Sequence, residues 1–470
     1  MPAAQKGKPG PAPAPESVTV SPTGEPEVDG VLSGRKWANY STTEITTVTY
    51  SFPDSYTDYG KGYSEASSKK FSPLEADEQA AARSVMALVE SYAKLNLVEN
   101  TDATDASAQI RIGATVTPGA DAWAYYPASG KGGDVWFDKN GGGSGLMSRE
   151  EGDLEPGDYT YTVYMHEIGH ALGLKHSFES TSFGVVPIDS LEYTVMSYDA
   201  YVGASNTWAT DGNNPQTFMM NDIAALQYMY GTNYATNAGD TTYSWNSLSG
   251  ELTMTGPAGT SFFDAPNTSV IFMTVWDGSG NDTYDFSNYA TNLEVDLRPG
   301  GWTTLDTQTH HQLADLSAQG NGSVLAAGNI ANPLVYDWND NADGAGLIEN
   351  AIGGSGNDTL IGNAVDNQLT GGAGNDQFVF AEEPDATNID TITDFGVGDD
   401  VLVLEDLVFS ALADAWELVL GPAAIDSNDH VIYDSGALYY DADGNGGLAS
   451  VQFATLLGMP ALTSLDILVA

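Results

Sequence analysis

The stretch YMHEIGHALGLKH, which runs from Tyr164 to His176, contains three of the six histidines of this chain. On an α-helix, residues four positions apart lie on one face about one turn (~5.4 Å) apart, so His166 and His170 can face a single ion. A glycine inside a helix costs roughly 1 kcal/mol relative to alanine, so Gly173 is better placed as the residue that ends the helix. The turn then brings His176 back towards the other two histidines.

Three histidines with a glutamate beside the first are typical of a catalytic zinc site. Such a site uses three protein ligands at Zn–N distances of ~2.0–2.1 Å and leaves one position for water. We therefore predict that His166, His170 and His176 bind zinc and that Glu167 is the catalytic base. The alternative is the polar end of an ordinary helix, but so many fixed residue types at set spacing rarely arise by chance.

The charge of the chain is strongly negative, with 15 basic and 64 acidic residues among 470 and a net charge of −49. This length predicts two or three domains. Such a charge repels nucleic acid and anionic membranes, which excludes both as partners. From Thr241 to the C-terminus there are 33 carboxylates, and Arg298 is the only Lys or Arg. A compact fold there needs cations from solution, and we predict Ca²⁺, with salt screening as the alternative.

The chain has no cysteine, which excludes disulfides and thiolate zinc sites, and no apolar run of the ~20 residues that a membrane span needs. Its N-terminus, MPAAQKGKPGPAPAPESVTV, lacks the apolar run of a signal peptide and by itself suggests a cytoplasmic protein. The Pro, Gly and Ala content predicts that residues 1–30 form a flexible leader.

The segments around the histidine motif predict a mixed sheet-and-helix domain. A helix should begin with Ser72 as its N-cap, Pro73 at its first position and Glu75 completing a capping box. We predict strands at 46–54, 108–114 and 133–140, and a second helix at Asn221–Gly231. The apolar stripe predicted for the first helix consists of Ala81, Val85, Leu88, Tyr92 and Leu95.

Beyond Thr241, nine-residue segments repeat in phase: GGSGNDTLI (353–361), GNAVDNQLT (362–370) and GGAGNDQFV (371–379), with a separate DGSGNDTYD at 277–285. This pattern is typical of a calcium-binding parallel β-roll, in which glycines allow the turn and the Asp carboxylate and turn carbonyls face the ion. Asp358 and Asp376 lie eighteen residues apart, so two turns on one edge can share an ion. Plain Gly/Asp-rich loops would explain one such stretch, but not three in phase.

Together these motifs resemble those of the serralysins, bacterial secreted zinc metalloproteases of the metzincin group. The resemblance extends from about residue 31 to the end, and it rests on HEIGHALGLKH, VMSY (Val195–Tyr198), NDIAALQYMYG, VWDGSGNDTYDFS, IENAIGGSGNDTLIGNA and the C-terminal LDILVA. It implies an α+β metzincin-like catalytic domain (31–240) followed by an all-β domain (241–470) of parallel β-roll and β-sandwich type that ends in a secretion signal.

The resemblance also implies roles for individual residues. Met196 would be the Met-turn beneath the zinc, and Tyr198 would be a zinc ligand that swings away to stabilise the oxyanion. The sequence departs from the family pattern at Ser177, where proline is usual, in the short spacing of His176 to Met196, and at Asn367, where Asp is expected. The implied calcium-binding positions are Asp240, Asp277, Gly280, Asp282, Glu349, Gly354, Gly356, Asp358, Asn363, Asn367, Gly371, Gly374 and Asp376.

The predicted function is that of a secreted zinc-dependent endopeptidase that cleaves protein or peptide substrates with a zinc-activated water. Glu167 would transfer the proton, and the strand at 133–140 would bind the substrate backbone by edge pairing. The resemblance implies a leader lost on activation and one-step (ABC-type) export that recognises the C-terminal SLDILVA; we expect a monomer without membrane insertion. The alternative is a calcium-dependent adhesin or surface-array protein with a non-catalytic zinc site, but such a site needs no adjacent base like Glu167.

Overall fold

The computed structural model describes residues 16–38, 45–60, 63–116, 119–140, 154–263, 268–336, 345–396, 399–413 and 415–470. Its N-terminal half contains, in chain order, β1 (Glu16–Thr19), α1 (Pro26–Asp29), β2 (Arg35–Ala38), β3 (Thr46–Ser51), α2 (Ala76–Tyr92), β4 (Leu95–Glu99), β5 (Ile110–Thr115), β6 (Ala122–Ala124), β7 (Val135–Asp138), α3 (Tyr159–Leu172) and α4 (Met220–Tyr230). Short 3₁₀ helices lie at Tyr56–Tyr59 and Asp102–Ser107. None of the helices in the described parts of the chain is long and apolar enough to span a bilayer.

The main sheet of this half has the strand order β4-β3-β5-β7-β6. Strand β7 pairs in parallel with β5 on one side and antiparallel with β6 on the other. The prediction that the 133–140 strand offers a free edge is therefore wrong, because both of its sides are paired. The edge belongs to β6, whose three residues are too few to show the period-2 pattern of a strand.

The first long helix, α2, begins later than predicted. Its N-cap is Glu75, whose backbone N–H donates to Glu78 Oε2 at 2.7 Å in a capping box. Ser72 is not the cap because its backbone pairs with Ala114 of β5, with N–O distances of 2.9 and 3.0 Å in the two directions. The predicted stripe is buried at Ala81, Val85 and Tyr92, is half-buried at Leu88, and continues into β4 at Leu95.

The N-terminal segment is folded from residue 16 onward. Strand β1 pairs antiparallel with β2, and Val28 of α1 is fully buried. The carboxylate of Asp29 accepts hydrogen bonds from the backbone N–H groups of Thr23 and Gly24 at 2.7 and 3.0 Å. The prediction of a flexible leader is therefore wrong for residues 16–30, where the Pro- and Ala-rich composition has ended; residues 1–15 lie outside the described residues.

The C-terminal half is all β, as predicted. Its strands are β8 (Thr242–Trp245), β9 (Leu252–Gly256), β10 (Gly259–Phe263), β11 (Met273–Thr274), β12 (Thr283–Asp285), β13 (Glu294–Asp296), β14 (Trp302–Thr303), β15 (Ile330–Ala331), β16 (Asn350–Ile352), β17 (Thr359–Ile361), β18 (Gln368–Thr370), β19 (Gln377–Phe380), β20 (Asp390–Ile392), β21 (Val401–Leu404), β22 (Leu418–Leu420), β23 (Val431–Asp434), β24 (Ala437–Tyr440), β25 (Val451–Leu456) and β26 (Ile467–Val469). Short 3₁₀ helices occur at Ser410–Ala413 and Ser464–Asp466.

Successive repeats alternate between two parallel stacks of strands. One stack runs β8-β12-β16-β18-β20-β25 within a larger sheet, and the other runs β13-β17-β19-β21-β26. The apolar repeat residues Ala351, Leu360, Leu369 and Phe378 are buried between them. This arrangement confirms the parallel β-roll. The C-terminal LDILVA contributes β26, which pairs in parallel with β21 at the end of its stack.

The two halves of the chain share one hydrophobic core. Side chains from beyond residue 241, including Phe272, Leu313 and Ala326, belong to the same buried cluster as Phe218 and the helices of the N-terminal half. The backbones are joined as well, because Gln216 N–H donates to the carbonyl of Phe272 at 2.9 Å. A second cluster fills the β-roll itself. The predicted boundary at residue 240 thus marks a change in fold type, but one hydrophobic core continues across it.

Candidate active site

Helix α3 carries the first two histidines of the motif, and every residue of this helix is buried. It ends at Gly173, which has φ of 115°, as the sequence predicted. A Cβ atom at Gly173 would lie 2.3 Å from the carbonyl oxygen of Arg35, so glycine is required there for space as well as for conformation. The turn at Gly173 brings the chain back and places His176 beside α3.

The three histidines converge, since their ligand atoms all lie within 4.8 Å of one another. His166 Nδ1 donates to the carbonyl of Val195 and His170 Nδ1 to that of Leu174, each at 2.8 Å. These bonds hold the ring hydrogens on Nδ1 and leave the Nε2 lone pairs facing the centre of the cluster. His166 Nε2 is buried and has no hydrogen-bond partner among the described residues. The cluster therefore fits a metal ion.

Protonation also favours metal binding. Burial lowers the pKa of His166 to about 3 and lowers the pKas of His170 and His176, so the rings are neutral near pH 7. Glu167 lies next to the cluster but does not belong to it. Its Oε2 is buried without a hydrogen-bond partner in the described chain, and burial raises its pKa to about 8. A carboxyl group of this kind is suited to exchange protons near neutral pH.

Tyr198 and Met196 lie where the sequence resemblance placed them. The Tyr198 hydroxyl is 3.0 Å from His176 Nε2, and its ring packs against Phe178 and Trp208 with centroid distances of 5.0 and 5.5 Å. Burial raises the pKa of Tyr198 to about 12, so the hydroxyl keeps its proton and can donate it. Met196 is fully buried beneath α3, where a Cβ at Gly169 would be 3.0 Å from its sulfur.

Asp222 of α4 supports the site, although sequence reasoning assigned it no role. Its carboxylate accepts hydrogen bonds from the Thr194 hydroxyl at 2.5 Å and from the Val195 and Met219 N–H groups at 2.8 and 3.1 Å. Val195 in turn accepts the Nδ1 hydrogen of His166. Asp222 therefore holds in place the backbone carbonyl that orients the His166 ring. In the sequence, its only signal was an acidic residue at a helix start.

A cavity of about 280 Å³ opens beside Glu167. Its walls come from the start of β6, from α3 and from the chain around Tyr198, and they include Asp121, Tyr159, Val163, Val195 and Trp208. On the other side of the histidines, the Tyr126 hydroxyl donates to Glu179 Oε2 at 3.3 Å, and its ring meets His170 edge-on at 5.5 Å. The histidines therefore lie in a cleft between the β6 edge and the 176–179 loop.

Two family profiles match the chain. The profile described as Matrixin matches residues 116–197, which include the histidines, Glu167 and Met196, and the profile described as Peptidase M10 serralysin C terminal matches residues 232–307 and 339–422. The two matched segments belong to domain families of the serralysin-type metzincins.

Individual relatives agree with this membership. Serralysin C from Dickeya chrysanthemi is 34% identical over 233 residues, which cover 47% of this chain and 43% of the relative. Metallopeptidase AprA from Pseudomonas marginalis is 30% identical over 248 residues, or 50% and 49% of the two chains. Serralysin B from Dickeya chrysanthemi is 29% identical over 308 residues, or 62% and 57%. The chain spans about half the length of the curated relatives it matches.

Asp240, Asp277, Asp282 and Glu349 gather on one edge of the β-roll. Asp282 Oδ1 accepts from the N–H of Thr241 at 2.7 Å, and the Asp282 N–H donates to Glu349 Oε2 at 2.6 Å. Asp282 Oδ2 is buried and has no hydrogen-bond partner in the described residues. Burial raises the pKas of Asp277 and Asp282, and raises that of Glu349 to about 7. Gly280 leaves space here, since a Cβ would lie 2.5 Å from Asp282 Oδ1.

Asp358 and Asp376 lie on the opposite edge of the roll and are adjacent, as their eighteen-residue spacing predicted. The Asp358 N–H donates to Asp376 Oδ1 at 2.9 Å, and the Asp376 N–H donates to Asp400 Oδ1 at 2.9 Å. Asp400 thus extends this column of carboxylates by one turn, a member that the sequence reading missed. The turns stack closely at Gly354, Gly356, Gly371 and Gly374, and a Cβ on Gly374 would overlap the Gly356 carbonyl oxygen.

Asn363 and Asn367 form a different kind of turn. Asn367 Nδ2 donates to the Glu349 carbonyl and to Asn363 Oδ1, both at 2.8 Å, and Asn363 Nδ2 donates to the carbonyls of Ile348 and Leu297 at 2.9 and 3.2 Å. Amide N–H groups therefore already occupy the oxygens that a cation would use. The geometry of this turn does not fit a calcium site.

Proposed function

We propose that this chain is a secreted zinc-dependent endopeptidase that hydrolyses peptide bonds of proteins or peptides. The observation that carries the proposal is the buried, unpartnered carboxylate of Glu167 beside three converging histidines. A structural zinc site needs ligands but has no use for an uncompensated acid with a pKa near neutrality.

His166, His170 and His176 are the residues that would hold the zinc ion. When bound there, zinc supplies Lewis-acid polarisation of the scissile carbonyl and acidifies a water molecule. Three neutral imidazoles, two of them with Nδ1 held by a carbonyl, and a buried His166 Nε2 without a partner among the described residues are the donor set that zinc prefers in catalytic sites.

Other groups in the cleft would transfer the proton, stabilise the oxyanion and bind the substrate. Glu167 takes a proton from the attacking water and delivers it to the leaving amine, which its raised pKa suits. Tyr198 donates its hydroxyl hydrogen to the oxyanion that develops on the substrate carbonyl. Strand β6, an edge strand of the sheet as the described residues form it, would bind the substrate backbone, and the cavity beside Glu167 would take a side chain next to the cleaved bond.

The named relatives support a protease over the adhesin alternative. Two of them are called serralysin and another metallopeptidase, and the Matrixin match covers the segment that holds Glu167 and the first two histidines. An adhesin with an inert zinc site would also leave Glu167 and Tyr198 without a purpose.

Calcium is proposed as the structural cation of the β-roll. Asp277 and Asp282 are buried with raised pKas, Asp282 Oδ2 has no partner among the described residues, and Asp358 and Asp376 stack on the other edge. Oxygen ligands of this type suit Ca²⁺. The proposal covers these two edges and leaves out Asn363 and Asn367, whose amides close their own turn.

Export completes the proposal. The acidic, apolar C-terminus around Leu465–Ala470 would address the chain to a one-step (ABC-type) exporter, which would place the monomeric enzyme outside a bacterial cell. Processing of a leader is proposed only for the first fifteen residues, since removal of residues 16–30 would take away β1 and α1.

The decisive experiment is casein cleavage by the purified full-length chain, with and without a zinc chelator, followed by zinc re-addition. We expect cleavage that the chelator stops and zinc restores. Cleavage that persists after the metal content falls to zero would refute the proposed function, as would a zinc-loaded chain that cleaves no protein substrate.

A further inference from the structure

A lysine is buried beside the third zinc ligand. Lys175 directly precedes His176 and is only 1% exposed, which places it among the largest fully buried side chains of the described residues. Its ammonium donates to the backbone carbonyl of Gly30, and it lies 2.9 Å from the Glu179 carbonyl oxygen and 3.1 Å from that of Gly184. A longer contact of 3.3 Å reaches the carbonyl of His176 itself.

These contacts satisfy a group that is costly to bury. An ammonium has three donor hydrogens, and three short contacts to carbonyl oxygens match them in number. The nearest charged groups are the carboxylates of Glu179 and Asp189, and Asp189 accepts a hydrogen bond from Ser177 at 2.6 Å. The hydrogen-bonding capacity of the ammonium is therefore satisfied, although the groups in direct contact with it are neutral carbonyls and not carboxylates.

The oxygens around the ammonium come from distant parts of the chain. Gly30 belongs to the N-terminal segment, whereas Glu179 and Gly184 belong to the loop that follows His176. The backbone reinforces the link, because Lys175 N–H donates to the Val31 carbonyl at 2.7 Å. The side chain thus holds the zinc-ligand loop on one side and the N-terminal segment on the other.

The same N-terminal segment also covers the end of α3. Ser33 N–H donates to the Gly173 carbonyl at 2.9 Å, and Trp37 Nε1 donates to the Ala171 carbonyl at 2.9 Å. The last carbonyls of a helix have no partner within the helix, so these bonds fix its end. Contacts from this segment therefore hold both the helix that carries His166 and His170 and the turn that carries His176; they come from Gly30, Val31, Ser33 and Trp37.

We propose that Lys175 is a positioning residue for the zinc site: its ammonium joins the loop after His176 to the segment around Gly30 and so holds the His176 imidazole in place for the metal. This rests on the zinc site assigned above. His176 is the ligand that most needs such support, because it lies outside the helix and its contacts to His170 and Tyr198 are both made by Nε2, the nitrogen that faces the cluster. His166 and His170, in contrast, each have a carbonyl partner on Nδ1.

The test compares Lys175→Met with a matched control, Lys36→Met, in the full-length chain. Lys36 lies on the same N-terminal segment and its ammonium also binds one backbone carbonyl, that of Met229, but it does not touch the loop after His176. The zinc dissociation constant is measured by competition with a chromophoric chelator, and the visible spectrum is recorded after cobalt substitution. We expect Lys175→Met to weaken zinc binding by about 10- to 100-fold, the range for loss of a supporting partner of a metal ligand, and to change the cobalt spectrum.

Lys36→Met should leave the zinc dissociation constant within about 3-fold of the wild-type value, below the 10- to 100-fold range for loss of a supporting partner. Its cobalt spectrum should match that of the wild type. Equal losses in the two variants, or an unchanged zinc constant in Lys175→Met, would overturn the proposal. If Lys175→Met does not fold, Lys175→Gln takes its place, since its neutral amide has only two N–H donors for the same carbonyls. Unchanged zinc binding by that variant would also overturn the proposal. Both readings are independent of proteolysis, so a wild-type chain that binds zinc but cleaves nothing would end the proposed function and leave the Lys175 comparison valid.

Discussion

Replacing Tyr198 with phenylalanine tests the chemistry of the site more sharply than any other single change. The substitution removes one hydroxyl, whose partner in the cluster is His176 Nε2 at 3.0 Å, and keeps the ring contacts with Phe178 and Trp208. Loss of one oxyanion donor costs about 2.7–4 kcal/mol, so kcat should fall by roughly 10²- to 10³-fold. The Michaelis constant should change little, because the donor acts mainly in the transition state.

The fold should hardly respond to the same change. The ring stays packed and one hydrogen bond is lost, so the free energy of unfolding should fall by about 1 kcal/mol or less. The assay is steady-state cleavage of a fluorogenic peptide together with urea unfolding. Tyr126→Phe is the matched control, because it removes a hydroxyl from the same cleft whose hydrogen bond goes to Glu179 on the loop after His176. We expect less than a 10-fold effect on kcat there, well below the loss expected for an oxyanion donor.

The reasoning would be refuted in either of two ways. An unchanged kcat in Tyr198→Phe would mean that this tyrosine only packs against its neighbours and does not stabilise the oxyanion. A fall in kcat that is matched by Tyr126→Phe would mean that any hydroxyl lost from the cleft has the same effect, and that no special donor exists.

Four further outcomes are expected. Glu167→Gln should abolish casein cleavage and keep one zinc per chain by metal analysis; loss of the metal would contradict its role as a base. Asp222→Ala leaves two buried backbone N–H groups without an acceptor, so urea unfolding should show a loss of roughly 2–6 kcal/mol, and a loss below about 1 kcal/mol would contradict the support assigned to it. Gly173→Ala should lower the melting temperature far more than Gly203→Ala, since both have positive φ but only the first meets a backbone oxygen; equal shifts would disprove the steric argument. Burial raises the pKa of Glu349 to about 7 from its usual ~4.3. Without calcium, the stability present at low pH should therefore be lost as pH rises through 7, and calcium should restore it. Equal restoration by sodium chloride at matched ionic strength would favour charge screening over a specific calcium site.

The zinc site could be read from the sequence because its parts are local. His166 and His170 are one helical turn apart, and Gly173 ends the same helix, so spacing alone determines their geometry. The β-roll could be predicted for a similar reason, since a nine-residue period places every second repeat on the same edge. Asp358 and Asp376 follow this period, and the Asp358 N–H donates directly to the Asp376 carboxylate.

What the sequence did not reveal depends on contacts between distant segments. Asp222 supports His166 through Val195, and nothing near Asp222 in the chain points to that contact. Two capping boxes compete at the start of α2, one beginning at Ser72 and one at Glu75, and the pairing of Ser72 with a strand decides between them. The short strand β6 becomes recognisable only because β7 pairs with it.

The shared core has a consequence for the order of events during synthesis. Phe272, Leu313 and Ala326 leave the ribosome well after the histidines, yet they fill the core on which the histidine helix packs. Contacts between residues so far apart in the chain form late and slowly. The nascent chain can therefore carry a complete histidine motif long before it has a finished cleft, and the proposed proteolytic activity should begin only after the segments as far as Ala326 have packed into the shared core.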